Sequence, residues 1–530
     1  MKKVLIANRG EIAIRAARAA RELGVQSVAI YSHEDRSALH RQVADEAYQI
    51  GEAGHPVRSY LDIDEIIAIA VTAGADAIYP GYGFLSESAA FAQAVVDAGL
   101  TWIGPSPETL VLTGDKVRAR ESAERAGVPV LLASAPVTSA AEAMAEAERI
   151  GFPVFVKASG GGGGRGLRRV DSAEEVANVF DTARREAAAA FGDDTLFVEQ
   201  AVIRPRHVEV QILADQHGEI VHLFERDCSV QRRHQKVVEI APAPGLPRAL
   251  VSSLCADAVS YARQVDYASA GTVEFLVWAD PRATAARHVD GYGYAFIEMN
   301  PRIQVEHTVT EEITGIDLVL SQMRVADGAR LADFGIAQES ITVQRSAIQC
   351  RLTTEDPSDD FRPSTGVIVA YRSPGGPGIR LDGATYAGAE ITPFYDSLLV
   401  KMTTSGPTFE AAARRARRGL AEFVVRGVSS NVAFLQALLA DPAFLSGDLT
   451  TAFLDEHPEL MTGTPGAQLG EAAALLLRLA ETTVNKPHGA PTTSVRNPAE
   501  RLPERVAVAA PAVTAKSVLD EQGPAALASW

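Results

Sequence analysis

Apolar runs and amphipathic stretches alternate at the start of the chain. Val4-Leu5-Ile6-Ala7 is uninterrupted by polar residues, a helical repeat of apolar positions follows over 11–23, and the chain turns apolar again at 27–31. The pairing recurs, with a predicted helix at 62–73 before a strand at 77–79 and another at 88–98 before 102–104. Short apolar strands separated by helices predict a parallel, doubly wound sheet covered on both faces. The turns Asn8-Arg9-Gly10 and Pro80-Gly81-Tyr82-Gly83 follow strand ends, where open α/β sheets hold ligands. Glycines there equally make plain tight turns.

The pattern then changes. Residues 116 to about 205 read as a smaller lid, and strands dominate from about 206 to 345, at 207–214, 220–225, 272–278 and 295–300. Short strands at 366–371, 378–382 and 395–402 and a helix at 408–423 predict a mixed, barrel-like closing domain. A Leu/Ala helix at 469–480 and a tail rich in Pro, Thr and Ala are expected to be weakly structured. The expected division is 1–115, 116–345 with a lid at about 130–205, 346–455 and a tail at 456–530: α/β and α+β domains in one chain. No internal repeat is visible.

Composition narrows the function classes. The 530 residues are 47% hydrophobic and 22% charged, ordinary values for a globular protein, and the formal net charge of −17 disfavours nucleic acid and anionic membranes as partners. Three cysteines without a C-x-x-C pair exclude a disulfide framework and a cysteine zinc site. No signal-peptide pattern opens the sequence, and no eighteen-residue uncharged apolar window occurs, so a cytoplasmic protein is expected.

The most specific stretch is Val154 to Gly166, in which an apolar strand delivers Lys157 into five glycines, Gly160 to Gly164, and then Arg165. So many glycines fit a loop whose amides approach a polyanion, a lid over nucleotide phosphates. A Gly-rich linker is the rival reading, but linkers do not sit between strand-like sequences. The loop is neither a Walker A nor a dinucleotide fingerprint.

Three further groups carry chemistry. In Phe296-Ile297-Glu298-Met299-Asn300-Pro301-Arg302, strand alternation puts Glu298, Asn300 and Arg302 on one face and Ile297 and Met299 toward the core. In Gly271-Thr272-Val273-Glu274-Phe275, Glu274 points away from its apolar neighbours. Converging carboxylates and an amide oxygen suit Mg²⁺, although a solvated strand face reads the same way. The run from Glu225 to Lys236 places Gln231, Arg232, Arg233, His234 and Lys236 together in an acidic chain, either as an anion pocket or as a solvated surface. Gln304-Val305-Glu306-His307, with Arg351 in a later strand, puts a potential general base beside guanidinium groups. His307 is read as structural.

Together these stretches closely resemble the biotin carboxylase family, which has the ATP-grasp fold. The resemblance runs from Val4 to about Leu454 and rests on Ala-Asn-Arg-Gly-Glu-Ile-Ala at 7–13, Tyr-Pro-Gly-Tyr-Gly-Phe-Leu-Ser-Glu at 79–87, the lysine and glycine block at 157–166, and the blocks at 225–236 and 298–307. It implies that Lys116 and Lys157 bind ATP phosphates under a lid containing Gly162, Gly163 and Gly164. Glu199 lies in the adenine-reading segment, and His207, Gln231 and His234 surround the ribose and phosphates. Glu274, Glu298 and Asn300 hold Mg²⁺ or Mn²⁺. Lys236, Arg302, Gln304 and the Val305 backbone bind bicarbonate, Glu306 deprotonates it, and Arg351 stabilises the enolate of biotin, the carboxyl acceptor, which is not attached to this chain. Two departures stand out: Gln200 replaces the lysine of some bacterial members, and 279–294 lengthen a hairpin expected at the surface.

Within the family, the segments at 31–37 and 40–51 resemble pyruvate carboxylases, 483–489 resembles the connector that leads toward their carboxyltransferase domain, and the chain is similar to the biotin carboxylase portion of such an enzyme. The subunit of an acyl-CoA carboxylase is the runner-up, and a non-catalytic nucleotide-binding partner is the remote alternative. No carboxyltransferase domain and no Ala-Met-Lys-Met biotinylation site are present; Val400-Lys401-Met402 is rejected as an echo inside the closing domain. The implied partners are a biotin carrier domain, a carboxyltransferase domain from elsewhere and a second copy of the chain, with Arg15 and Glu22 matching positions at the family's dimer interface.

Overall fold

The first layer is a parallel sheet of β1 (Lys3–Ile6), β2 (Gln26–Ser32), β3 (Glu46–Ile50), β4 (Ala77–Tyr79) and β5 (Thr101–Trp102), in the order β3-β2-β1-β4-β5. The order reverses between β1 and β4, so the turns after these strands face each other at a topological switch point. β3 escapes the sequence pattern because it is an edge strand whose residues are mostly half-buried and partly polar. Helix α1 (Gly10–Glu22) presses Ile12, Ala13, Ala16, Ala17, Ala19 and Ala20 against β1 and β4; alanines allow the close approach. This computed structural model describes residues 1–159, 166–279 and 287–461. Gly162, Gly163 and Gly164 and the predicted 469–480 helix lie outside the described residues.

A three-stranded antiparallel sheet follows, with β6 (Val154–Ala158) between β7 (Leu167–Val170) and β8 (Leu196–Gln200). Val154, Val156, Ala158, Leu196 and Val198 pack against the helices Ala140–Ile150 and Val176–Phe191. By alternation Lys157 and Glu199 occupy the opposite face. Gln200 pairs with Val154 and shares the phase of Val198, so its side chain leaves from the helix-covered side. Its departure from the family pattern does not alter the face that carries Glu199.

The main body is a nine-stranded sheet. Its strands are β9 (Arg206–Ala214), β10 (Ile220–Arg232), β11 (Gln235–Ala241), β12 (Ser269–Trp278), β13 (Arg287–Val289), β14 (Tyr292–Asn300) and β15 (Ser346–Thr353), followed by Ile379–Gly383 and Leu398–Gly406. The order is β13-β14-β12-β9-β10-β11-β15, then Leu398–Gly406, then Ile379–Gly383 at the edge. The strand expected at 220–225 continues to Arg232, so the polar run is sheet and not a loop. Arg233 and His234, both with positive φ (49° and 65°), make the two-residue hairpin turn to β11.

One strand phase differs from expectation. Glu274 faces Glu298 across the β12–β14 ladder and Phe275 faces Phe296, which leaves Ile297 as a bulge residue. The bulge puts Phe296 and Met299 into the core and keeps Ile297 half-buried. In the closing part, the strand expected at 366–371 is two short ones, Gly366–Val367 and Ala370–Arg372. Arg15 is buried within the chain, paired with Glu311 at 3.2 Å and with Asp317, while Glu22 is exposed. Arg15 is therefore committed inside this chain and is not a free surface group. Among the described residues no helix is long and apolar enough to cross a membrane.

Candidate active site

Polar residues at every second position of β9, namely His207, Glu209 and Gln211, share one face with Thr272 and Glu274 of β12. Buried polar side chains must find partners, and here they find one another. Arg226 of β10 has no exposure at all. Its guanidinium donates to Glu209 (2.6 Å), Gln211 (2.6 Å), Thr310 (3.0 Å), Thr272 (3.1 Å) and Gln304 (2.8 Å). It forms the floor on which the site stands.

Above it, Lys236 Nζ lies 2.6 Å from Glu209 Oε2, 3.0 Å from Glu274 Oε1 and 2.7 Å from Glu306 Oε1. Arg351 Nη2 donates to the other Glu306 oxygen at 3.0 Å, and its Nε donates to Glu239 at 2.5 Å. Burial works to raise the Glu306 carboxyl, but Lys236, Arg351 and Arg226 hold it well below the ordinary carboxylate range. Burial likewise disfavours the Lys236 ammonium, and Glu209, Glu274 and Glu306 push it well above the usual lysine value. The site therefore holds an ionised carboxylate between two cations. The turn before Glu306 leaves the Val305 amide without a hydrogen-bond partner among the described residues. Arg302 donates to Asn300 Oδ1 at 3.1 Å and to Glu87 at 2.5 Å.

The acidic end fits a hard cation. Glu274 and Glu298 stand directly opposite each other on adjacent strands, and Asn300 is two residues further along. Glu274 Oε1 accepts from Lys236, Asn300 and Gln304 together, and His207 Nε2 lies 2.9 Å from Oε2. Burial disfavours the His207 imidazolium, but Glu274 outweighs it and raises the group. These oxygens already attract every donor in reach, and their chemistry is that of a Mg²⁺ or Mn²⁺ site shared with phosphate oxygens.

Lys116 Nζ is 3.0 Å from Glu298 Oε2, and Lys157 bonds Glu199. Burial lowers Lys116, yet Glu298, Glu199 and Glu274 raise it overall, which places its charge between the lid strands and the acidic strands. Gln231 is buried, 2.8 Å from His207 Nδ1, whereas His234 is exposed at its hairpin tip. His307 Nδ1 lies 2.6 Å from the Gln304 carbonyl, and burial followed by the charge of Lys401 pushes it down to about 3, so it is a neutral structural residue. Sequence reasoning missed Glu209, Glu239, Arg226 and Glu87, each a direct partner of an expected site residue.

The geometry can be set beside known proteins. The biotin carboxylase N-terminal domain family matches residues 1–110, the carbamoyl-phosphate synthase L chain ATP-binding domain family 115–334, and the biotin carboxylase C-terminal domain family 349–456. The biotin carboxylase domain of Hydrogenobacter thermophilus 2-oxoglutarate carboxylase, solved with MgADP and bicarbonate, superposes with a TM-score of 0.82 at 44% identity, over 87% of this chain and 98% of that one. The chain belongs to the biotin carboxylase family.

Longer biotin carboxylase relatives are also similar. Human mitochondrial pyruvate carboxylase is 51% identical over 99% of this chain, and the Aspergillus niger pyruvate carboxylase 50% over 99%; the chain spans 44% of the length of each. A Rhizobium etli pyruvate carboxylase solved with acetyl coenzyme A gives a TM-score of 0.83 at 50% identity, over 92% of this chain and 42% of that one.

Proposed function

We propose that this biotin carboxylase carries out the ATP-dependent carboxylation of biotin by bicarbonate, as the first half-reaction of a pyruvate carboxylase. The observation that carries the reading is the Glu306 carboxylate, ionised and held between Lys236 and Arg351. Bicarbonate seated on Lys236, Arg302, Gln304 and the Val305 amide draws the Lys236 charge toward itself. Glu306 then loses part of the field that suppresses its basicity and takes the bicarbonate proton. The freed oxygen attacks the γ-phosphorus of ATP and ADP leaves, giving carboxyphosphate. That species separates into CO₂ and phosphate, the phosphate takes the ureido N–H proton of biotin, Arg351 steadies the enolate oxygen, and the nitrogen adds to CO₂.

Lys116, Lys157 and the 160–164 glycines hold the phosphates, with Glu199, His207, Gln231 and His234 along the rest of the nucleotide. Glu274, Glu298 and Asn300 would hold Mg²⁺ or Mn²⁺, which supplies charge neutralisation on the phosphates. The relatives' lengths support a carrier domain and a carboxyltransferase domain as partners, and the Hydrogenobacter domain dimer supports a second copy. The three described cysteines are buried and unpaired, in keeping with a cytoplasmic protein. The same reading divides the chain at about 115, 345 and 455.

The test is bicarbonate-dependent ATP hydrolysis with and without free biotin, beside Glu306→Gln. Biotin-stimulated ADP release with label fixed from bicarbonate, lost in the variant, is the expected result. A wild-type chain that binds ATP but shows no bicarbonate dependence would overturn the reading in favour of a nucleotide-binding partner.

A further inference from the structure

Lys401 is the one lysine among the described residues with a wholly buried side chain, and the reaction proposed above does not use it. Its burial also rules it out as a biotinylation site. It stands on Leu398–Gly406, directly across from Arg351 on one side and Asp382 on the other, so the three residues form a row across three strands. Its Nζ lies 2.9 Å from Glu11 Oε2. The other Glu11 oxygen accepts from the Tyr82 hydroxyl. Tyr82 belongs to the turn after β4, and its main chain is tied down separately: Asn8 Nδ2 donates to the carbonyls of Pro80 (2.7 Å) and Tyr82 (2.8 Å).

The turn after β4 is thus tied by a chain of contacts from Tyr82 through Glu11 to Lys401, and Lys401 is the cross-strand neighbour of Arg351. Buried ion pairs are a poor way to add stability, because apolar residues of the same volume do as well or better. Lys401 Nζ and Glu11 Oε2 meet as an ion pair off hydrogen-bond geometry, so what Lys401 supplies is a counter-charge that keeps the Glu11 carboxyl group in place, and the other Glu11 oxygen holds the Tyr82 hydroxyl. The ring of Tyr82 is half-buried, its hydroxyl is held inward, and the charge of Arg351 acts on it. We propose that Lys401 and Glu11 are positioning residues for the biotin pocket in front of Arg351, acting by holding the Tyr82 ring as one wall of that pocket. The inference rests on the biotin carboxylase reading above.

The experiment measures ATP hydrolysis by the full chain against biotin concentration, for wild type, Lys401→Met, Tyr82→Phe, the pair together, and Lys401→Met with Glu11→Gln. Lys401→Met is expected to raise the KM for biotin about tenfold with kcat at saturating biotin within about twofold. Tyr82→Phe, which removes one oxygen and leaves the fold intact, gives a similar rise. The double variant is no worse than the stronger single, since both break the same chain of contacts. Glu11→Gln restores the KM of Lys401→Met, because a neutral amide needs no ammonium and its oxygen still accepts from Tyr82. An unchanged biotin KM in Tyr82→Phe, or effects of Lys401→Met and Tyr82→Phe that multiply, would overturn the inference. Absence of biotin stimulation in the wild-type chain strikes instead at the functional reading beneath it.

Discussion

The Lys236 ammonium and the Glu306 carboxylate stand 2.7 Å apart, the carboxylate buried and the lysine only slightly exposed. That ammonium is shared with Glu209 and Glu274, so a single cation links the floor of the site, the acidic end and the base. Anything that takes hold of Lys236 is felt by three carboxylates at once.

Lys236→Met therefore leaves three buried carboxylates short of a partner. The expected loss is about 3–5 kcal/mol at neutral pH, read from denaturant unfolding. The sign follows from the lowered Glu274 and Glu306 carboxyls: their stabilisation is present above the unfolded value of 4.5 and is lost as pH falls through the folded values. The gap between wild type and variant should be full at pH 7 and shrink below pH 4.5. A gap that is constant with pH argues against ion pairing as its origin.

Glu298→Gln tests the cation site without touching Lys236. ADP with Mg²⁺ is expected to raise the wild-type melting temperature more than ADP with a chelator. At a ligand concentration a hundred times Kd the stabilisation is about 2.7 kcal/mol. The variant should lose the Mg²⁺-dependent increment and keep the metal-free one. If it keeps both, Glu298 is only the partner of Lys116.

His40, which contacts Gly10 and Ile30, gives a second pH signature. Burial, with Arg9 nearby, lowers it from 6.5 to about 4 despite Asp35. A histidine kept neutral in the fold contributes fully above 6.5, and its contribution is lost as pH falls from 6.5 to about 4. The loss amounts to about 3 kcal/mol. His40→Gln should flatten that limb of the unfolding free energy against pH. An unchanged slope means that His40 titrates alike in both states.

Glu87 holds Arg302 at 2.5 Å from an exposed turn. Glu87→Gln should cost under about 1 kcal/mol of stability, as exposed pairs do. It should lower the KM for bicarbonate, because Arg302 no longer has to leave a carboxylate to meet the anion. A raised KM would show that Glu87 orients Arg302 productively.

Much of this was legible in the sequence. The alternation in 273–277 and 298–302 correctly put Glu274, Glu298 and Asn300 on one face, and failed only at Ile297, where a bulge adds a residue that no period-two reading anticipates. Arg226 and Glu239 were hidden for a different reason. Arg226 sits in a mixed polar run that looks solvated, Glu239 is a lone acid in an apolar strand, and only pairing between strands distant in sequence, such as β11 with β15, shows that they are buried and partnered. Glu209 did leave a signal: polar residues at 207, 209 and 211 between Val208, Val210 and Ile212 describe a strand buried on both faces, one of them polar.

The nine-stranded sheet runs without interruption from Glu298 on β14, through Glu274 on β12 and Lys236 on β11, to Arg351 on β15. With neighbouring strands about 4.8 Å apart, the spacing between the Glu274–Glu298 pair and Arg351 is set by backbone hydrogen bonds, as marks are set on a ruler. A fragment ending near residue 345 would take its cut through that ruler, leaving β11 as a bare, sticky edge and Glu306 with one of its two cations. The boundary that divides the chain most naturally by sequence is thus one at which it cannot be divided in practice.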